Sequence, residues 1–244
     1  MYNHKQLKAI TCNDRFIFVN AGAGSGKTTV MIERMKRLIH EGISEEDILG
    51  LTFSKEAAMQ MKERLNIENV FISTFHSFCY QHLEGFDVIP KSVPFSEEFL
   101  LKVSLYKNKM GRKPFFYQRY ISYLKKHKFI DYDDMLIRFI SIKDVYAYKH
   151  ILIDEFQDTN FLQISVLLKL IHYDTFVFVV DNHHIPYRFS RSMFSIEEER
   201  RLFYVGITRA RHALYFIHYK YDKNVKLSKF IDEISDNQVF KAIK

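Results

Sequence analysis

Short apolar runs alternate with longer amphipathic ones along this chain. The runs "RFIFVN", "DILGLTF", "NVFIST", "HILIDE" and "TFVFVV" are of strand length and rich in β-branched and aromatic residues. Between them lie segments of helical period, among them "TTVMIERMKRLIHEG" and "TNFLQISVLLKLIHY". Apolar strands separated by helices predict an α/β fold, a parallel sheet flanked by helices. In open sheets of that kind ligands bind beyond the carboxyl ends of the strands, so chemistry is expected just after each run. A later segment, 196–235, reads as helix, strand "ALYFIHY" and helix; its strand either docks onto the main sheet or awaits a partner chain.

Composition narrows this picture. The 244 residues are 47% hydrophobic, enough for one well-filled core or for one core with a small second lobe. The formal charge of +7 fits a polyanionic partner, and it equally fits a merely solubilising surface. The surplus is densest in "KNKMGRKPFFYQRYISYLKKHK", residues 107–128, a basic and aromatic tract able to track a phosphate backbone. Cys12 and Cys79 have no paired or metal-ligand spacing, which predicts reduced thiols. The start "MYNHKQLKAI" has no signal-peptide apolar stretch and no run is of membrane length. The expectation is a protein that is cytoplasmic, or otherwise nuclear or viral intracellular, not secreted, with no membrane partner. His183 and His184 have no cysteine or acid at ligand spacing, so zinc is not expected.

Candidate chemistry begins after "RFIFVN", where "AGAGSGKTT" leads into a helix. Gly22, Gly24 and Gly26 let backbone N–H groups curl inward around phosphates. Ala21, Ala23, Ser25 and Thr29 complete the cradle, Lys27 adds a point charge, and the helix presents its positive end. Thr28 is a magnesium ligand in this arrangement. The strict pattern has glycine where this chain has Ala21, and a plain glycine-rich strand-to-helix turn is the alternative. The second half of such a site is a strand ending in acids, and "HILIDEFQD" supplies one at 150–158. Asp154 would hold magnesium through water and Glu155 would draw a proton from the attacking water. Two adjacent acids also suit a solvated turn, a reading weakened by the glycine loop upstream. ATP and magnesium are the expected cofactors.

These stretches, with others in the same order, resemble the UvrD/Rep family of superfamily 1 DNA helicases. "NHKQLKAI" is similar to the family's adenine-reading segment with Gln6 as reader, and Arg34 matches an arginine that flanks the base. "LTFSKEAAMQMKERL" and "STFHSF" resemble its two DNA-contacting segments, and "IDYDDML" the run before the magnesium strand. "DEFQDTNFLQ" resembles the magnesium strand itself, "EEERRLFYVGITRAR" the segment with the arginine finger, and "LSKFIDEI" the helix after it. The resemblance implies a RecA-like P-loop NTPase fold with a small, mainly helical insertion. It implies a catalytic set of Lys27, Asp154, Glu155, Gln157 and Arg209, and single-stranded DNA held at Phe53, Thr74, Phe75 and His76. Ordinary core packing is the alternative for each Phe; Thr74 and His76 beside Phe75 weigh against it there.

The implied domains are a RecA-like ATP-binding domain at 1–83 and 149–190, a reduced helical insertion at 84–148, and a remnant of a second RecA-like domain at 191–244. Only "SRSMFS" separates Phe189 from the helix near Ile196, where the family places most of that second domain. Such a short connector is expected to keep Arg209 close to its own nucleotide. Val180, His184, Ile185 and Ser190 stand where the family has glycine, glutamine, serine and arginine, which puts its phosphate-to-DNA coupling in question. The expected protein binds and hydrolyses ATP with magnesium and binds single-stranded DNA, with little processive unwinding. Alternatives are a non-motor ATP-binding, DNA-binding switch, a subunit of a larger assembly or homo-oligomer, and a decayed remnant.

Overall fold

The structure, a computed structural model, describes residues 2–20, 24–90, 93–171, 175–181 and 214–218. In chain order its strands are β1 (Phe16–Asn20), β2 (Ile48–Thr52), β3 (Phe71–Thr74), β4 (Asp87–Val88), β5 (Phe129–Ile130), β6 (His150–Ile153), β7 (Phe176–Asp181) and β8 (Leu214–His218). The helices are α1 (His4–Thr11), α2 (Lys27–His40), α3 (Lys55–Leu65), α4 (Phe75–Tyr80), α5 (Glu97–Lys107), α6 (Tyr117–His127), α7 (Tyr132–Ser141) and α8 (Phe161–Leu170). The chain divides into two compact units.

The first unit comprises 1–74, 146–159 and 170–244. It is built on a six-stranded sheet in the order β3-β2-β6-β7-β1-β8, with every neighbouring pair parallel. β2 and β6 are buried along their whole length, as strands covered on both faces must be. Ile48 of β2 and Leu152 of β6 join Val30, Met31, Met35 and Leu38 of α2 and Met61 and Leu65 of α3 in one core. The α2 residues recur at helical spacing, so one stripe of that helix is buried. All five strands expected from the early runs are present. The strand of "ALYFIHY" docks within its own chain: β8 pairs with β1 from Phe16↔Leu214 to Asn20↔His218.

The second unit comprises 75–145 and 160–169 and is mainly helical. β4 and β5 form its small parallel pair. Its first stretch ends at Val145 rather than residue 148, and its boundary differs from the sequence expectation in two further places. It begins at Phe75 rather than residue 84, because α4 packs on α7: Phe78 and His82 each meet the Phe139 ring, at 5.2 and 5.1 Å. It also recruits most of α8, which the sequence groups with the ATP-binding domain; the Leu162 N–H donates to Asn108 Oδ1 at 3.4 Å and the Lys109 ammonium lies 4.4 Å from the Phe161 ring centroid. Among the described residues no helix is long and apolar enough to cross a membrane.

Candidate nucleotide-binding site

Because the strands are parallel, the residues after β1, β2, β3 and β6 all emerge at one edge of the sheet. From β1 the chain crosses past β7 and β6 to form β2, while β8 flanks β1 on the other side. That change of direction falls beside β1, and in such sheets the usual ligand position is there, at the carboxyl ends.

The glycine loop follows β1 at that end. Gly24 and Gly26 take left-handed backbone angles, φ 74° and 83°, which a side chain would strain. Gly26 is the N-cap of α2 and brings no side chain to its amides, so the positive end of the helix is open to an anion. The Ser25 hydroxyl is buried with no hydrogen-bond partner among the described residues. Such a group costs about 1–3 kcal/mol unless it is satisfied, and a phosphate oxygen would satisfy it. Lys27 opens α2 and is buried.

The acids after β6 come to the same place. The Thr28 hydroxyl donates to Asp154 Oδ2 at 3.2 Å, the Glu155 N–H donates to Asp154 Oδ1 at 3.0 Å, and the Asp154 N–H bonds Leu51 O at 2.9 Å. Burial raises the Asp154 carboxyl above its ordinary range and the Glu155 carboxylate adds to this; Thr28 and Lys27 act in the opposite sense. A hydroxyl and a carboxylate within one hydrogen bond, beside a second carboxylate, suit a divalent cation. The side chains present therefore fit ATP and magnesium. Glu155 itself holds φ 51°, ψ 50°, a left-handed conformation that costs a non-glycine residue about 1–3 kcal/mol. It turns the chain from β6 into a short 3-10 segment, Phe156–Asp158, which contains Gln157.

Other expected nucleotide residues are used differently. The Gln6 amide is engaged by the protein: its Nε2 donates to Ser25 O at 3.0 Å, and its Oε1 accepts the Asn3 N–H at 2.9 Å in a capping box that starts α1. Gln6 thus braces the phosphate loop, and reading adenine requires exchanging that bond. Thr29 Oγ1 accepts from Arg64 of α3 at 2.7 Å. Nothing in local spacing singled out Arg64 or Asn3, since both act through partners distant in sequence or through a cap.

Arg34 departs from its expected place beside the base. It is only 3% exposed, and its Nη1 donates to the carbonyls of Ala9, Ile10 and Cys12 at 3.1, 3.2 and 2.7 Å. Burial, and then the Arg37 charge, pushes its pKa down to about 10. The guanidinium is spent on holding the end of α1 against α2. Arg34→Ala is expected to lower stability by roughly 2–3 kcal/mol, because a charged donor is lost and buried acceptors are left unpaired. Urea unfolding measures this; unchanged unfolding with weakened nucleotide binding would return Arg34 to the base.

The expected DNA residues also divide. Phe53 is 58% exposed after β2, held where Thr52 Oγ1 donates to Ser54 O at 2.8 Å and Ser54 caps α3. Phe75 is 2% exposed and Thr74 is buried. The burial of the Phe75 ring fits the core-packing alternative better than a base stack. In the second unit His76 is half-buried, lies edge-on to Tyr132 at 5.4 Å, and is shifted by burial towards its neutral form. Ala21, Gly22, Ala23, His184 and Arg209 lie outside the described residues, as does the Gln157 side chain.

Comparison with known proteins bears on the same stretches. The family model for the UvrD/REP helicase N-terminal domain matches residues 2–88, and that for the UvrD-like helicase C-terminal domain matches residues 169–221. The chain belongs to the UvrD/Rep helicase family. The parallel sheet and phosphate loop are the RecA-like P-loop fold of that family. A Mycoplasma pneumoniae protein named "Probable DNA helicase" is 26% identical, over 80% of this chain and 49% of its own length. The ATP-dependent DNA helicase SRS2 of Saccharomyces cerevisiae is 28% identical, over 70% of this chain and 20% of its own. The ATP-dependent DNA helicase PcrA of Staphylococcus aureus is 26% identical, over 69% and 31%. The chain thus spans half or less of the length of these UvrD/Rep relatives.

Proposed function

We propose that the chain is an ATP-dependent DNA helicase-like protein that binds and hydrolyses ATP with magnesium and binds single-stranded DNA inside the cell. The observation that carries this reading is the Thr28–Asp154 hydrogen bond beside a phosphate loop with an unsatisfied Ser25 hydroxyl. Thr28 and Asp154 would hold magnesium, which would neutralise charge developing on the phosphate oxygens of ATP. Lys27 supplies a positive charge to the same oxygens, the α2 amides hold the phosphates, and Glu155 accepts the proton of the attacking water. Gln157 and Arg209 complete the set by resemblance. ATP turnover by the purified chain, with and without single-stranded DNA, tests the proposal; no turnover and no nucleotide binding would overturn it.

Exposure favours Phe53 as a residue that stacks on an unpaired base. Phe53→Ala is expected to weaken single-stranded DNA binding by roughly 1–3 kcal/mol and leave the melting temperature nearly unchanged. Phe75→Ala is expected to do the reverse, costing about 3–5 kcal/mol of stability as a buried aromatic truncated in a core. Binding isotherms and thermal melts on both variants decide the assignment. The match to the C-terminal helicase domain occupies only 169–221, which favours a second reading, a non-motor switch whose affinity for DNA changes with bound ATP, alone or within an assembly. A turnover number stimulated by DNA separates motor from switch, and neither reading calls for processive unwinding by one chain.

A further inference from the structure

The second unit carries a feature that the nucleotide site does not use. Phe115 is 94% exposed and Phe116 55%, their rings meeting edge-on at 5.0 Å with an interplanar angle of 82°. The backbone beneath them is held by the turn that opens α6: the Tyr117 N–H donates to Pro114 O at 3.1 Å and the Tyr120 N–H to Phe116 O at 3.2 Å. Two rings so placed forfeit much of the burial that aromatic side chains gain in a core. An occupant that covers them recovers it.

Charge identifies the occupant. Residues 107–130 contain eight lysines and arginines and no acid. Lys107 is neutralised inside the unit by Asp131 at 2.5 Å and Asp134 at 2.7 Å, but Lys109, Arg112, Lys113 and Arg119 are exposed around the rings in sequence. Lys113 lies 5.5 Å from the Tyr117 ring centroid, so cation and aromatic surface are interleaved here. A ligand with flat apolar faces and a repeating negative charge matches this surface, and an uncharged or basic protein face does not.

We propose that Phe115 and Phe116 form a base-stacking knob for single-stranded nucleic acid, with Lys109, Arg112, Lys113 and Arg119 meeting its backbone. The proposal rests on the reading that the chain binds single-stranded DNA and adds a second contact surface, in the helical unit. The test is a salt-titrated binding measurement with the full chain on an oligothymidylate and on the same backbone carrying abasic sites. Phe115→Ala with Phe116→Ala is expected to weaken oligothymidylate binding roughly 5- to 150-fold per lost stack. It should leave the salt slope and the abasic affinity unchanged. Arg112→Ala with Lys113→Ala is expected to weaken both ligands and to flatten the slope by up to about 0.7 per lost phosphate contact. Unchanged oligothymidylate binding by the Phe variant overturns the knob, and so does an equal loss on both ligands. A change of oligomeric state with DNA binding intact overturns it in favour of a protein contact. If the wild-type chain binds neither ligand, the DNA-binding reading itself fails.

Discussion

Glu155→Gln is expected to stop ATP hydrolysis while leaving ATP bound, and Lys27→Ala to remove the binding. Glu155 follows Asp154 at the carboxyl end of β6, where its carboxylate can take a proton from water that the matching amide cannot accept. Loss of a general base slows such reactions by roughly 10²–10⁴-fold. Glutamine keeps the side-chain length and suits the same backbone turn, so the Asp154–Thr28 pair stays in place for magnesium. Lys27 is different in kind. Its charge would meet phosphate oxygens in the ground state and the transition state alike, so its removal is expected to be felt in affinity before it is felt in rate. Titration with a fluorescent ATP analogue, paired with phosphate release, reads both quantities. A Glu155→Gln protein that turns over at the wild-type rate would remove Glu155 from the mechanism.

Arg209→Ala is expected to reduce turnover by about three to five orders of magnitude, the usual worth of an arginine that stabilises charge on a transferring phosphoryl group. The six-residue connector "SRSMFS" favours supply from its own chain. A mixture of Arg209→Ala with Glu155→Gln, each inactive alone, is then expected to stay inactive at every ratio. Recovery of roughly a quarter of the wild-type rate, the share of intact sites in a randomly mixed two-fold dimer, would place the arginine in a second chain.

The core strands of the sheet and the phosphate loop were legible because their signals are local. Apolar runs of strand length, glycines where the backbone must turn left-handed, and acids at a strand end each declare themselves within a few residues. Parallel pairing then brings the ends together, as the Thr28–Asp154 bond does across 126 positions. The remaining assignments depended on distant partners. Phe53 and Phe75 both follow a strand directly, yet one ring is exposed and the other buried, because only the second has core behind it. Arg34 lies on the buried stripe of α2, and three carbonyls near the end of α1 claimed its charge. The unit boundary moved to Phe75 because aromatic side chains of α4 and α7 pack together across some 60 residues. Backbone preference and residue chemistry are properties of a short segment and can be read from it. Burial and the identity of a hydrogen-bond partner belong to the assembled fold, and those two quantities determined which candidates are exposed and which hold the scaffold.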